Sequence, residues 1–417
     1  MKVTIIFIII SLFVGLPAIA QQGPDMSFYI EEYNKSDTTV ADMLDILRMV
    51  RDENLTGIGS FYNNAIRVYI QRLSNFTDPR YRLQVEEAAR LILRGLGAEK
   101  HTESAPFIWS LIQYFDIAYN ENDGYLMSEA LISMGQAGGK SYATNIADIL
   151  QRYNDSSSAD TLVKSRIQIV APAAIKALEL LCESIGVKPV FFASVGWYDP
   201  WIKTEASNAL VTMMETLGEV IGDIVSDIIR DHFNLPDIKL AAWQGLLRAQ
   251  VANSVKSKVA VVAIESSYTF AATTRESQNI LVMMRMSAID TIRLMGVEDD
   301  HVYAFLERVY REAYNSPSTD FETIVQVVRT LTALKTDEAV ELLTEFLRGL
   351  HTRKRSASST VIDRNIMSII IPALGSTGTQ SRAVIQLLTV ISSSSMYTQA
   401  EQTWARNALS ALNASLR

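Results

Sequence analysis

The chain has 417 residues, and 46 Asp and Glu against 38 Lys and Arg give a formal net charge of −8. An acidic balance of this kind provides no electrostatic basis for nucleic-acid binding. Cys182 is the only cysteine, so an intrachain disulfide is excluded and packing alone must hold the fold together.

The first twenty residues have the pattern of a secretory signal peptide. Lys2 gives a positive start, residues 3–16 are almost wholly apolar, and Ala18-Ile19-Ala20 is a small-x-small cleavage site. The apolar run is short for an uncleaved anchor, and no cysteine follows it to carry a lipoprotein anchor. We expect cleavage after Ala20, a periplasmic or otherwise exported chain, and no stable membrane insertion afterwards. Residues 21–39 are polar and predict a flexible arm or a cap over the first repeat.

One loop occurs twice between amphipathic segments. Residues 134–143 (MGQAGGKSYA) align without gaps on residues 374–383 (LGSTGTQSRA), and both follow a segment rich in small residues. A loop that recurs in the same helical context indicates a helical hairpin used repeatedly. Repeat arrays present surfaces more often than they build catalytic pockets, so this repetition favours a binding protein over an enzyme.

Helical periodicity dominates the rest of the chain. Residues 85–97, 204–218 and 286–296 each place apolar and small side chains on one helical face, and each ends in Leu-Gly or Met-Gly, which is typical of a helix C-cap. Thr336 and Asp337 begin another helix, with Ala339, Leu342, Leu343 and Phe346 facing inward.

Residues that mark the end of the first helix of each pair recur at intervals mostly near 40 residues. These nine register marks are Gly97, Gly135, Gly186, Gly218, Ala249, Gly296, Lys335, Gly375 and Asn413. They predict an all-α fold, a solenoid of about nine or ten antiparallel HEAT-like helical pairs that spans residues 40–417 as one superhelix. Residues 257–274 are rich in strand-favouring side chains; we interpret them as a buried helix and a longer loop, with a local β-hairpin as the alternative.

One pattern recurs in residues 88–97, 128–150 and 330–347: small residues, Ala-Leu, Leu-Gly, and then Ala-Val with leucines. This pattern resembles HEAT repeats, in particular the short bacterial kind also found in bilin-lyase-like proteins. The resemblance implies an armadillo-like superhelix over most of the chain and no particular activity. It fixes no pigment site, so we expect no cofactor.

The four histidines do not have the spacing of a metal site. Some HEAT-repeat enzymes, the di-iron deoxyhypusine hydroxylases, carry paired His-Glu motifs, but here Thr102, Phe233, Val302 and Thr352 follow the histidines. Glu298-Asp299-Asp300-His301 is better explained as the acidic start of a helix. We therefore expect neither a metal site nor catalytic residues.

The segment Gly135–Ser141 ends in Gly-Lys-Ser and is superficially similar to a phosphate-binding P-loop. Its first glycine is one position late, a helix precedes it where a P-loop has a strand, and the sister loop has Thr379-Gln380 in place of the glycine and lysine. We interpret it as a glycine-rich turn between helices.

Residues 191–201 (FFASVGWYDPW) are the densest aromatic stretch. Trp197, Tyr198 and Trp201 either join neighbouring helices or project as a recognition patch, in which case they are candidate binding residues.

A basic run follows the helix that contains residues 345–350. Arg353, Lys354 and Arg355 either interact with the C-terminal helix dipole and form a solvated loop, or bind an anionic partner, and they are the second set of candidate binding residues.

Taken together, these patterns predict an exported non-enzymatic scaffold that binds a protein or peptide partner along the concave face of the superhelix. An enzyme or enzyme subunit with a small-molecule site between repeats is one alternative, although no catalytic constellation supports it. An envelope protein that binds glycan or peptidoglycan is the other, and it predicts that Trp197 and Trp201 are exposed to solvent.

Overall fold

The computed structural model describes residues 26–414 apart from residues 54, 56, 73–78, 118–120, 297–300 and 317–318. Every regular element in these described residues is helical. The contacts divide the chain after Tyr142 into two compact units. The proposed signal peptide and the acidic residues 298–300 lie outside the described residues, and the single superhelix of residues 40–417 stays a prediction.

The first unit contains six described α-helices and extends to Tyr142. They are α1 (Met26–Asn34), α2 (Val40–Asp52), α3 (Gly59–Arg72), α4 (Arg82–Ala98), α5 (Ala105–Ile117) and α6 (Glu121–Ala137). Helices α2, α4 and α6 pack side by side in one layer, and α1, α3 and α5 pack in the other.

The second unit contains fourteen described α-helices and begins at Ala143. They are α7 (Ala143–Asn154), α8 (Thr161–Leu181), α9 (Val187–Val195), α10 (Pro200–Leu217), α11 (Val220–Arg230), α12 (Pro236–Arg248), α13 (Asn253–Thr269), α14 (Arg275–Met295), α15 (His301–Asn315), α16 (Phe321–Leu334), α17 (Asp337–Arg355), α18 (Val361–Ser376), α19 (Arg382–Ser393) and α20 (Gln399–Ala414). The even-numbered helices form one layer and the odd-numbered helices the other, each contacting the next in its own layer.

Sequential helices in two layers, with contacts confined to near neighbours, are the arrangement of an α-solenoid, so the predicted fold class is confirmed. The prediction paired each marked helix with the helix after it, whereas the structure pairs it with the helix before it. Apart from α1, each odd-numbered helix packs closely on the even-numbered helix that follows it, as α13 does on α14, whereas most even-numbered helices barely contact the helix that follows. A register mark therefore ends the second helix of a pair, not the first.

Eight of the nine register marks lie in the last turn of an even-numbered helix or at its C-cap. Gly186 is the exception, because α8 ends at Leu181 and Gly186 belongs to the short 3-10 helix that follows. Cys182 takes the left-handed C-cap conformation that glycine usually supplies, with φ of +48°. Cys182 thus caps the helix and is half-buried.

The repeated loop holds its shared glycine in the same backbone conformation in both copies. Gly138 after α6 has φ of +77° and Gly378 after α18 has φ of +72°. Both values lie in the left-handed region that glycine adopts without steric cost, so the glycine shared by the two copies has a geometric reason. A helix precedes each loop, in agreement with the turn interpretation of Gly135–Ser141.

From α13 onward, the even-numbered helices of the second unit pack more closely on one another than the odd-numbered helices do. A Cβ atom added at Gly375 of α18 would lie 2.7 Å from the Cα of Ala408 of α20, so this approach requires glycine. Neighbouring odd-numbered helices, such as α15 and α17, touch over a shorter stretch. This asymmetry leaves depressions between odd-numbered helices.

Residues 253–269 form helix α13, as predicted over the β-hairpin alternative. Side chains on all sides of α13 are buried, because α11, α12, α14 and α15 all pack on it. Burial on all sides also explains why the sequence shows strand-favouring Val and Ile without a clear amphipathic stripe. Among the described residues, no helix is long and apolar enough to cross a membrane.

Candidate functional site

The aromatic stretch joins two helical pairs. The indole Nε1 of Trp197 donates to the carbonyl oxygens of Tyr153 and Asn154, at 3.1 and 3.2 Å. The hydroxyl of Tyr198 donates to Oδ1 of Asn154 at 2.9 Å, and the Trp197 and Tyr198 rings stack with centroids 4.7 Å apart. These bonds fasten the end of α7 to the loop before α10.

The three aromatic candidates differ in how far their side chains are exposed to a partner. Tyr198 is buried, and its side chain lies inside the fold. Trp197 is half-buried, with the Lys164 ammonium 5.6 Å from its ring centroid. Trp201, the second residue of α10, is 54% exposed and is the one with a large free ring surface. Trp197 and Tyr198 therefore hold two helical pairs together, whereas Trp201 presents an exposed ring.

The basic run belongs to the last turn of α17, since the helix continues to Arg355 rather than giving way to a loop after Leu350. Nε of Arg353 donates to Oδ1 of Asp363 at 3.3 Å, and Nζ of Lys354 lies 3.1 and 3.3 Å from the two carboxylate oxygens of Glu401. Arg355 is exposed. Two of the three cations thus bind carboxylates within the fold.

Asp363 and Glu401 occupy equivalent positions. Each is the third residue of its helix, α18 or α20, and each accepts a hydrogen bond from the backbone N–H of the threonine before that helix, Thr360 or Thr398. Both carboxylates are fully buried. The basic turn of α17 therefore ties together the N-termini of the next two helices of the even-numbered layer.

These bonds determine the charge of both carboxylates. Burial by itself raises the pKa of Asp363, but hydrogen bonds from Tyr314 and Thr360 and the charge of Arg353 outweigh it and hold the pKa below 3.8. Burial likewise raises the pKa of Glu401, and the bonds from Thr398 and Lys354 lower it below 4.5. Both groups are ionised at neutral pH.

Arg353 also lines a cavity of about 280 Å³ between α15 and α17. We call it the α15–α17 cleft. Its walls include Tyr310, Arg311 and Tyr314 of α15 and Phe346, Gly349 and Arg353 of α17. The cleft lies where the odd-numbered layer is loosely packed, so the fold itself creates it.

The tyrosines in the cleft are four residues apart on α15, and only one of their hydroxyls has a hydrogen-bond partner. Tyr314 donates to Asp363 at 2.6 Å while the Arg353 guanidinium lies 4.4 Å from its ring centroid. Burial and then the bond to Asp363 raise the pKa of Tyr314 to about 12. Tyr310 stacks on Phe346 with centroids 3.6 Å apart and is only 5% exposed, yet its hydroxyl has no hydrogen-bond partner.

An unpartnered buried hydroxyl is costly, by about 1–3 kcal/mol, and native proteins contain few. Burial raises the pKa of Tyr310, so the group stays a neutral donor at physiological pH. Tyr310 lines the cleft, but its hydroxyl oxygen is closed to solvent, so a ligand oxygen can accept from it only after neighbouring side chains move.

A second depression of about 690 Å³ runs along α15 and shares Glu307, Arg311 and Asn315 with the cleft. We call it the α15 furrow. At its side, the guanidinium carbons of Arg308 and Arg285 lie 3.9 and 3.8 Å from the ring centroid of Tyr268. The cleft and the furrow together form a continuous arginine- and tyrosine-rich surface across α15.

The structure thus brings one of the six predicted binding residues, Arg353, into a cavity, and it separates the aromatic stretch from the basic run by several helices. Sequence reasoning missed Tyr310 and Tyr314. Their spacing places them on one face of α15, but only the loose packing of α17 shows that this face is partly open. Among the described residues, no three His, Cys, Asp or Glu side chains cluster as metal ligands would.

Comparisons with known proteins give little more. No protein-family model matches the chain, and no curated protein matches it. Among solved structures, one match is the "Circular tandem repeat protein with novel repeat topology and enhanced subunit contact surfaces", at 12% identity, covering 94% of this chain and 82% of that one, with a TM-score of 0.17. A similarity this weak carries no argument, so the description of the chain as a helical repeat protein rests on its own layers of helices.

The two tyrosines of the cleft provide a matched pair of variants. We expect Tyr314→Phe to lower the free energy of unfolding by about 1.5–3 kcal/mol, because it removes a bond to an ionised, buried carboxylate. Tyr310→Phe should change it by less than about 0.5 kcal/mol or raise it, because the lost hydroxyl makes no bond. Urea unfolding followed by circular dichroism measures both. An equal loss in the two variants would show that Tyr310 has a partner in the free protein.

The two buried carboxylates make the stability of the protein depend on pH in acid. Because the pKa values of Asp363 and Glu401 are lowered in the fold, their contribution is fully present above the ordinary values of 3.8 and 4.5 and is lost as pH falls through the lowered ones. The Asp363→Asn/Glu401→Gln variant should be less stable by about 2–4 kcal/mol at pH 7, and the difference should shrink by about pH 3. Urea unfolding at both pH values tests this. A difference that is independent of pH would contradict it.

Proposed function

We propose that this protein is an exported, non-enzymatic scaffold of HEAT type that binds a protein or peptide partner on its second unit. The partner lies on the side of the odd-numbered helices, in the α15–α17 cleft and the adjoining α15 furrow. The observation that supports this most directly is the cleft itself, a cavity of about 280 Å³ with aromatic and arginine walls, whose wall residue Tyr310 has a buried hydroxyl without an acceptor.

The chemistry of the cleft suits a peptide chain. Arg353, which uses Nε toward Asp363, retains its terminal nitrogens as donors for a backbone carbonyl. The hydroxyl of Tyr310 becomes a second donor once the side chains that close it off move. Arginine and tyrosine are also enriched among residues that dominate binding energies at protein interfaces. The cleft holds a side chain or two, and the furrow extends the surface to the length of a short segment.

A scaffold agrees with the fold better than an enzyme does. Each pair of helices buries its apolar stripe on its neighbours, and the remaining outward residues can vary independently along the array. The ion pairs on α15, Glu307 with Arg311 and Arg308 with Glu312, make its surface polar without a net charge. Such a surface binds by shape and hydrogen bonds rather than by long-range attraction.

One observation favours the envelope-glycan alternative, namely the exposed ring of Trp201. Aromatic rings stack on the apolar faces of sugars, and Trp201 is free to do so. Retention of the protein on purified cell-wall material, lost in Trp201→Ala, would support that function instead.

Site-specific photo-crosslinking in the native envelope tests the scaffold. A photoreactive residue at Arg311, which is 70% exposed at the rim of the cleft, should label one reproducible protein neighbour. The same residue at Glu205, exposed on α10 of the other layer, should not.

Gly349→Leu is the blocking variant for this experiment. A Cβ atom at Gly349 meets nothing within 4 Å, so the leucine fits the fold and fills the cleft. Replacing a glycine inside a helix should also raise the free energy of unfolding by about 0.5–1 kcal/mol, which separates blocked binding from misfolding. Arg348→Leu, an exposed neighbouring position outside the cleft, is the control. Labelling that survives Gly349→Leu, or that is equal at Glu205, would contradict the proposal.

A further inference from the structure

The first unit has a groove at its N-terminal end that no described helix covers. Helix α1 packs on α3, where Tyr29 and Tyr33 make edge contacts with Phe61 at centroid distances of 6.4 and 5.8 Å, and α2 packs on α4. On the opposite side of α1 and α2, no described helix is stacked. A groove of about 480 Å³ lies between the two helices, and we call it the α1–α2 groove.

The groove has an apolar floor. Phe28 is 56% exposed and Met49 is 47% exposed, and Ile46 lies partly exposed beside them. End repeats of a solenoid ordinarily present a polar outer face, because the next repeat that would cover apolar residues is missing. Exposed Phe, Met and Ile on this face of the first described pair are therefore unusual, and apolar patches of this kind commonly mark interaction sites.

The rim of the groove is acidic. Carboxylates of Glu32, Asp37, Asp42 and Asp45 surround the floor, and Lys35 is the cation that lines it.

The nearby cations neutralise this charge only in part. Lys35 is paired with Glu32. Arg48 reaches Asp45 at 3.3 Å but makes its two closer bonds to Glu87 of α4, and Arg72 donates to the backbone carbonyls of Lys35 and Thr38. The apolar floor therefore faces solvent beside a rim that carries a net negative charge.

We propose that the α1–α2 groove binds a basic amphipathic helix of a partner protein. Apolar side chains of that helix at i, i+3 or i+4, and i+7 contact Phe28, Ile46 and Met49, while its Lys and Arg residues pair with the carboxylates of the rim. The proposal is independent of the α15–α17 cleft, since it involves different residues on the other unit and its own partner segment.

Fluorescence anisotropy with model peptides tests this directly on the whole protein. The probe is a dye-labelled peptide of about 14 residues with Leu at helical spacing and Lys elsewhere; a Leu/Glu peptide and a Ser/Lys peptide of the same length are the comparisons. We expect binding of the Leu/Lys peptide that weakens with salt, and at least about tenfold weaker binding of the other two.

Three double variants locate the site. Asp37→Asn/Asp45→Asn removes rim charge, and Phe28→Ser/Met49→Ser removes the floor; each should weaken binding of the Leu/Lys peptide by about tenfold. Glu205→Gln/Glu219→Gln removes the same charge from exposed positions of the second unit and should leave it unchanged. Circular dichroism verifies that all three fold. Equal weakening by the rim pair and the distant pair, or equal binding of the Ser/Lys peptide, would overturn the proposal by showing attraction to net charge alone.

Discussion

The structure depends on one constraint: each helix must bury an apolar stripe that it cannot bury alone, and neighbours in a two-layer stack are the means of doing so. Small residues determine how closely the stack can pack. Where Gly375 of α18 meets Ala408 of α20, a single added methyl group would not fit. Close packing in one layer leaves the other layer more open, and the α15–α17 cleft is a consequence of that difference.

Polar interactions then fix the positions of individual helices within the stack. Arg353 and Lys354 at the end of α17 reach buried carboxylates at the starts of α18 and α20. A buried carboxylate that lost its cation would be strongly destabilising, so these pairs specify which helix ends meet. The same Arg353 borders the cleft, and a ligand there would contact a group already held in place by the fold. Such preorganisation reduces the entropy that is lost on binding.

The fold could be predicted from the sequence because helix ends and small-residue stripes are local signals. Eight register marks lie at helix ends for this reason, and Thr336 is the N-cap of α17, accepting a bond from the backbone of Ala339. The ninth mark is wrong because Cys182, not a glycine, takes the left-handed C-cap. The phase of the pairs was also wrong, since periodicity shows where each helix ends but not which neighbour it packs on most closely.

The candidate site was harder to predict, because its residues matter through contacts between distant segments. The basic run is visible in the sequence, but nothing local showed that Asp363 and Glu401 would bind two of its cations. Tyr198 seemed a candidate contact residue, and only the position of Asn154 shows that its hydroxyl is used inside the fold. Tyr310 carries no sequence signal, because an absent hydrogen-bond partner is a property of the whole packed structure.

Hydrogen–deuterium exchange of the free protein, resolved by mass spectrometry, tests the central claim that the two layers are packed unequally from α13 onward. Peptides from α16 and α18 should exchange more slowly than peptides from α15 and α17, since close packing suppresses local opening. Equal rates in the four helices, or faster exchange in α16 and α18, would contradict the account.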